Sequence, residues 1–226
     1  LALLCLVAVF FVVRAKIHQR EPEVYGSYEM YKTEFSLALF QAQNLHIGEN
    51  ENLRVMQIAD PQIKFGFMTH DKKTMDLIDR AIRTQKPHIC VVNFCLNDLS
   101  ETVEEYVAAL REIFTRLIAA EIRPILLTPS MLNSYVHPDT IPMYRDFAAV
   151  TAAWHQSGYM DTYVEAAKAL AAELGVAVAD AYAKWKTLEA EGMDVTENLA
   201  NYINHPSREL HQLFADALFE TLQGEV

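Results

Sequence analysis

The chain has 226 residues, 51% of them hydrophobic, and a formal net charge of -11, which allows one domain with a sizeable core and excludes a chain disordered over most of its length. The acidic balance, 30 Asp and Glu against 19 Lys and Arg, argues against nucleic acid as a partner and against broad binding to anionic membrane surfaces, because phosphates are repelled wherever that field is not locally reversed. Neutral or cationic small molecules are the easier partners.

In chain order, Leu1 to Val13 is almost wholly apolar and ends at Arg14, Lys16 and Arg20, the pattern of a signal-peptide core or the trailing part of a membrane anchor. No small-x-small cleavage site precedes Arg14. Residues 1–20 are therefore expected to form an apolar helical anchor, placing the protein on a membrane or outside the cell, in an extracytoplasmic setting. Residues 21–52 read as a polar tether, with a short helical pattern around Tyr28 to Gln41 and a turn at Gly48-Glu49-Asn50.

A regular pattern begins at residue 53 and runs to 226. Leu53 to Ala59 predicts a strand ending at Asp60-Pro61, and Asp71 to Thr84 a helix with Met75, Ile78 and Ile82 on one face. Ile89 to Phe94 is an apolar run that predicts a buried strand; Ser100 then stands where it can cap a helix, with Glu101, Glu104 and Glu105 in the first turn. Val103, Tyr106, Val107, Leu110, Ile113, Phe114, Leu117 and Ile118 recur at helical spacing, the clearest amphipathic pattern in the chain. Pro124 to Thr128 predicts a third strand, followed by an irregular stretch around Pro138 and Pro142. A helix from Thr162 to Leu174 stops at Gly175, a fourth strand spans Val176 to Ala179, and a last helix runs from Ser207 to Leu222.

Strands alternating with helices imply right-handed crossovers and a mostly parallel sheet covered on both faces, a three-layer α/β/α domain. Chemistry in such a sheet gathers at the carboxyl ends of the strands. Asp60, the Asn97-Asp98 pair and Asp180 stand at those ends, and His205 precedes the last helix. The three cysteines, Cys5, Cys90 and Cys95, build no disulfide framework. Residues five apart on a strand point to opposite faces and are too distant to bridge.

The run Val91 to Leu99, Val-Val-Asn-Phe-Cys-Leu-Asn-Asp-Leu, resembles the Gly-x-Asn-Asp block of SGNH (GDSL-type) hydrolases. Ile125 to Pro129, Val178 to Tyr182 and Asn204-His205-Pro206 follow in that family's order. The resemblance runs from about residue 87 to 226 and implies a flavodoxin-like three-layer fold and hydrolysis of esters, often on carbohydrates or lipids, with no cofactor. It also implies Asn97 as a donor to the oxyanion and His205 as general base, roles that suit an amide N–H and a side chain type that titrates near neutrality.

The chain departs from that family at four places. The block's glycine falls on Cys95, and the aspartate expected three residues before the histidine falls on Tyr202. The glycine of another block has no counterpart, and no Gly-Asp-Ser occurs, so the nucleophilic serine is missing. Ser130, Ser134 and Ser157 follow the third strand rather than the first and are poor substitutes.

The segment Arg54 to Gln62, Arg-Val-Met-Gln-Ile-Ala-Asp-Pro-Gln, resembles instead the opening of calcineurin-like metallophosphoesterases. That resemblance implies a divalent metal, Mn, Zn or Fe, with Asp60 as a ligand and Gln62 at the second motif position, though the remaining ligands of a two-metal site are absent from the sequence. The two likenesses meet between Lys86 and Asn93, within a strand both families possess. A hybrid or relic domain with little ester hydrolysis and little phosphatase activity accounts for both. Elsewhere, Trp154 with His155 and Trp185 after Tyr182 are expected to pack, and His137-Pro138-Asp139 to form a loop.

Overall fold

A computed structural model of the protein describes residues 54–59 and 78–223. The expected anchor and tether (residues 1–20 and 21–52), Asp60 and Gln62 lie outside these residues. Among the described residues no helix is long and apolar enough to cross a membrane.

Four parallel strands, β1 (Val55–Ala59), β2 (Ile89–Asn93), β3 (Arg123–Leu127) and β4 (Ala177–Ala179), lie side by side in sequence order. Val55 pairs with Ile89, Ile89 with Arg123, and Ile125 with Ala177. The apolar run of β2 is buried on both faces, as a strand covered by helices on each side requires: Ile89, Cys90, Val91 and Val92 are all within the core. The α/β class and parallel sheet expected from the alternation are thus present.

The crossovers are helical. A helix over 78–85, here α1, leads into β2, and α2 (Val103–Ala119) returns the chain to β3 with Tyr106, Leu110, Phe114 and Leu117 buried. The helix is capped by Thr102, not by the expected Ser100. The Thr102 Oγ1 atom accepts from Glu105 N–H at 3.2 Å while the Glu105 carboxylate accepts from Thr102 N–H at 3.1 Å. This reciprocal box satisfies two otherwise orphaned donors. Ser100 instead ends a short 3₁₀ turn, Asp98–Ser100, that carries the chain off β2.

After β3 the expected irregular stretch contains a helix. A 3₁₀ turn (Pro142–Tyr144) runs into α3 (Arg145–Ser157), and Gly158, with a positive φ of 70°, turns the chain directly into α4 (Tyr159–Leu174). Pro142 is tolerated because it begins its turn, where no N–H is needed. The inward face of α3 is Ala148, Thr151 and Ala152, while Phe147 and Val150 are exposed. No large apolar stripe marks the helix in the sequence.

β4 is followed by α5 (Ala181–Ala190), also unexpected from periodicity. A 3₁₀ turn (Glu209–His211) and α6 (Gln212–Gln223) divide the expected last helix between them. Cys90 and Cys95 are free and buried.

Candidate active site

The carboxyl ends of β2 and β3 and the loop before α6 enclose a cavity of about 600 Å³, lined among others by Asn93, Asn97, Ser130, His205, His211 and Phe214. Asn97 and His205, some hundred residues apart in sequence, therefore face one space. Asn93 fixes the rim, donating its side-chain amide to the Leu127 carbonyl across the strand ends at 2.8 Å.

Asn97 sits just before the 3₁₀ turn Asp98–Ser100 and is exposed. Its side-chain amide has no hydrogen-bond partner among the described residues. The surrounding backbone is held firmly. Tyr106 donates to the Phe94 carbonyl at 3.4 Å and Tyr163 to that of Glu101. Tyr159 reaches the Leu99 carbonyl at 3.3 Å, and Leu99 itself is buried. Burial pushes the Tyr106 and Tyr163 hydroxyls above the usual tyrosine range, so they remain proton donors. A fixed loop presenting one unspent amide donor is the arrangement an oxyanion site needs.

Cys95, where the family block has glycine, adopts φ 146°, a region glycine enters freely and other residues enter at a cost of about 1–3 kcal/mol. Its thiol is pushed up to about 12 by burial and by the nearby Asp98 carboxylate, against a lowering contact from Tyr106. Cys90 is raised to about 12 by burial alone. Neither thiol supplies the thiolate that a cysteine nucleophile requires.

The His205 loop closes on itself. Leu199 and Pro206 form an antiparallel bridge, Ala200 N–H donates to the His205 carbonyl at 2.7 Å, and Ser207 N–H to that of Asn198 at 3.0 Å. The Asn201 side-chain carbonyl gathers the N–H groups of Ile203, Asn204 and His205 at 3.1, 3.0 and 3.0 Å. The backbone at His205 is thus fixed, while its ring is exposed and has no hydrogen-bond partner among the described residues. Tyr202, at the place of the family's aspartate, has a positive φ of 58° and stacks on His137 with centroids 4.0 Å apart. His137 in turn accepts from Asp139 N–H and lies 2.9 Å from Glu197. A ring stack therefore stands at the position of the family's aspartate.

Among the described residues, the serines considered as substitutes are committed to other partners. The sequence has no serine between Ser36 and Ser100, and so none between β1 and β2. Ser130 does line the cavity, but it is buried and its hydroxyl donates to the Asn204 carbonyl at 3.1 Å, pinning the His205 loop. The Ser134 hydroxyl pairs with Thr196 and that of Ser157 with the Trp154 carbonyl.

Asp180, one of the polar groups expected at the strand ends, is spent on structure. It caps α5 through Ala183 N–H at 3.0 Å, accepts from Thr128 at 3.0 Å and pairs with Lys168 at 2.8 Å. Trp185 and Tyr182 are buried, as expected of packing residues. Among the described residues no group of three or more His, Cys, Asp or Glu could hold a metal ion, and the metal reading finds no support there.

One cavity residue escaped the sequence. His211 lines the same space, and its ring Nδ1 lies 2.8 Å from the Ser207 carbonyl. A side chain bonded to its own preceding turn leaves no motif to read.

Residues 68–213 match the GDSL-like Lipase/Acylhydrolase family, and the chain belongs to that family. It carries an SGNH/GDSL esterase-like domain whose block with Asn97 and histidine segment with His205 both fall within the match. The chain is similar to an acetylxylan esterase from Geobacillus stearothermophilus, at 20% identity over 67% of this chain and 66% of that one, TM-score 0.49. It therefore spans just under two thirds of that enzyme. It is also similar to a candidate SGNH hydrolase from Slackia heliotrinireducens, at 14% identity over 76% of this chain and all of that one, TM-score 0.53; that likeness supports the fold. No curated protein matches the chain.

Proposed function

We propose that the cavity binds the carbonyl group of an ester, on a carbohydrate or lipid carrier, and hydrolyses it only slowly. Asn97 donates to the carbonyl oxygen, and His205 holds the chain position of the family's base. The observation that carries this is the meeting of two unspent polar side chains, Asn97 and His205, in one cavity at the carboxyl edge of the sheet. Apolar walls from Phe94, Leu96, Phe214 and Leu218 suit the hydrocarbon part of such a ligand.

Slowness follows from two absences in the sequence: the serine and the aspartate that orients the histidine. The family match begins at residue 68, after β1. The segment Arg54 to Gln62 then takes the place in the chain where the family carries its serine, in the manner of a hybrid or relic domain.

Phenyl acetate added to isotopically labelled protein tests the binding. The Asn97 side-chain amide and the His205 ring resonances are expected to shift together, with the His205→Ala variant retaining the Asn97 shift. Absence of a shift at Asn97 in the wild-type protein would sink the ester reading.

We further infer an extracytoplasmic, membrane-anchored protein from Leu1 to Val13 and the basic residues after it. Resistance of the full chain to alkaline carbonate extraction from membranes checks this. Recovery in the soluble fraction and inside the cell would refute it.

A further inference from the structure

A ring nitrogen facing a carbonyl oxygen has only one possible arrangement. The carbonyl cannot donate, so Nδ1 of His211, 2.8 Å from the Ser207 carbonyl, carries the proton, and the neutral ring has its lone pair on Nε2. The same carbonyl accepts from His211 N–H at 3.2 Å. The Ser207 hydroxyl faces Leu210 N–H at 3.4 Å, and the Phe214 ring packs 6.2 Å from the imidazole. His211 is therefore a histidine of defined tautomer on a short, internally bonded turn, lining the cavity that holds Asn97 and His205.

Two features separate it from His205. The His205 ring has no partner among the described residues, so none of them selects its tautomer. The residue at the family's orienting position is Tyr202, which is turned to His137. A carbonyl on Nδ1–H does for His211 the orienting half of what an aspartate does in a catalytic triad: it fixes the tautomer and aims Nε2. It omits the other half, since a neutral carbonyl stabilises an imidazolium less than a carboxylate does.

We propose that His211 is the oriented general base of this cavity, acting on a water molecule in place of a serine, a role that rests on the ester-binding reading of the site. A proton passes from water to Nε2 of His211 as the water oxygen bonds to the ester carbonyl carbon, and the carbonyl electron pair moves to its oxygen, where Asn97 donates. Collapse re-forms the C=O bond and breaks the bond to the alcohol oxygen, which takes the proton from Nε2. The products are the carboxylic acid and the alcohol, and no acyl-enzyme forms.

Two measurements on the full chain test the assignment. Long-range ¹H–¹⁵N spectra of the imidazoles are expected to show His211 as the Nδ1–H tautomer; an Nε2–H tautomer there, the usual form in water, overturns it. Phenyl acetate hydrolysis above the buffer rate is expected to fall about 10²-fold in His211→Ala and in His211→Gln, with KM retained, and to fall less in His205→Ala. Hydrolysis that survives both His211 variants overturns the proposal, as does wild-type hydrolysis no faster than buffer. In either case a persisting Asn97 amide shift with phenyl acetate leaves the ester-binding reading standing, whereas loss of that shift removes both.

Discussion

Two strand ends on the same edge of the sheet use their polar residues in opposite ways. At β4, Asp180 spends its carboxylate on a helix N-terminus, a threonine and a lysine. At β2 and on the loop facing it, Asn97 and His205 sit on backbone that other residues hold rigid, and their side chains bond to nothing described. Capacity that is already satisfied stabilises the fold. Capacity left open on a fixed frame is available to a ligand. The sequence ranked Asp180 alongside Asn97 because both follow an apolar strand; only the geometry separates a cap from a candidate site residue.

Removing the carboxylate at β4 gives the largest stability effect. Asp180→Ala is expected to cost about 2 kcal/mol, from the lost cap and lost charged hydrogen bonds, read as a lower midpoint in urea. Its pH dependence has a definite sign. Burial alone raises the Asp180 carboxyl, but Lys168, Ala183 N–H and Thr128 together hold it below the ordinary carboxylate range. A carboxyl depressed in the folded state contributes stability that is fully present above the unfolded value, about 3.9, and is lost as pH falls through the lower folded value. Asp180→Asn should therefore flatten the stability curve below about pH 4 and leave its slope above that unchanged.

Removing the α2 cap comes next. Thr102→Ala should cost about 1 kcal/mol, and Ser100→Ala much less, which would confirm by denaturation which residue caps the helix.

At the site the expected stability effects are the smallest. Asn97→Ala and His205→Ala should leave the melting transition within about 0.5 kcal/mol of wild type while altering the response to phenyl acetate. Tyr202→Phe should be equally quiet, because the stack on His137 uses the ring and not the hydroxyl. A large loss of stability in Asn97→Ala would break the comparison, since it would show that the amide is already committed within the fold.

The sequence displayed β2, β3, α2 and α4 because continuous apolar runs and a 3.6-residue period are direct consequences of burial. It hid α3 and α5. The inward residues of α3 are alanines and a threonine, too small to mark a stripe, and α5 is short and set by the Asp180 cap rather than by periodicity. Asn97 and His205 were legible through family resemblance; the cavity that both line is visible only in the structure. The stack of Tyr202 on His137 pairs residues far apart in sequence, and the bond from His211 to Ser207 reaches only a backbone carbonyl, so neither left a pattern of residue types to find.

We propose that this cavity keeps an oxyanion donor and a base and, among the described residues, lacks a serine nucleophile. A fluorophosphonate probe, followed by intact-protein mass measurement and peptide mapping, tests it most directly. No serine adduct is expected. A stoichiometric adduct on a serine, abolished in His205→Ala, would contradict the proposal and show a working serine hydrolase.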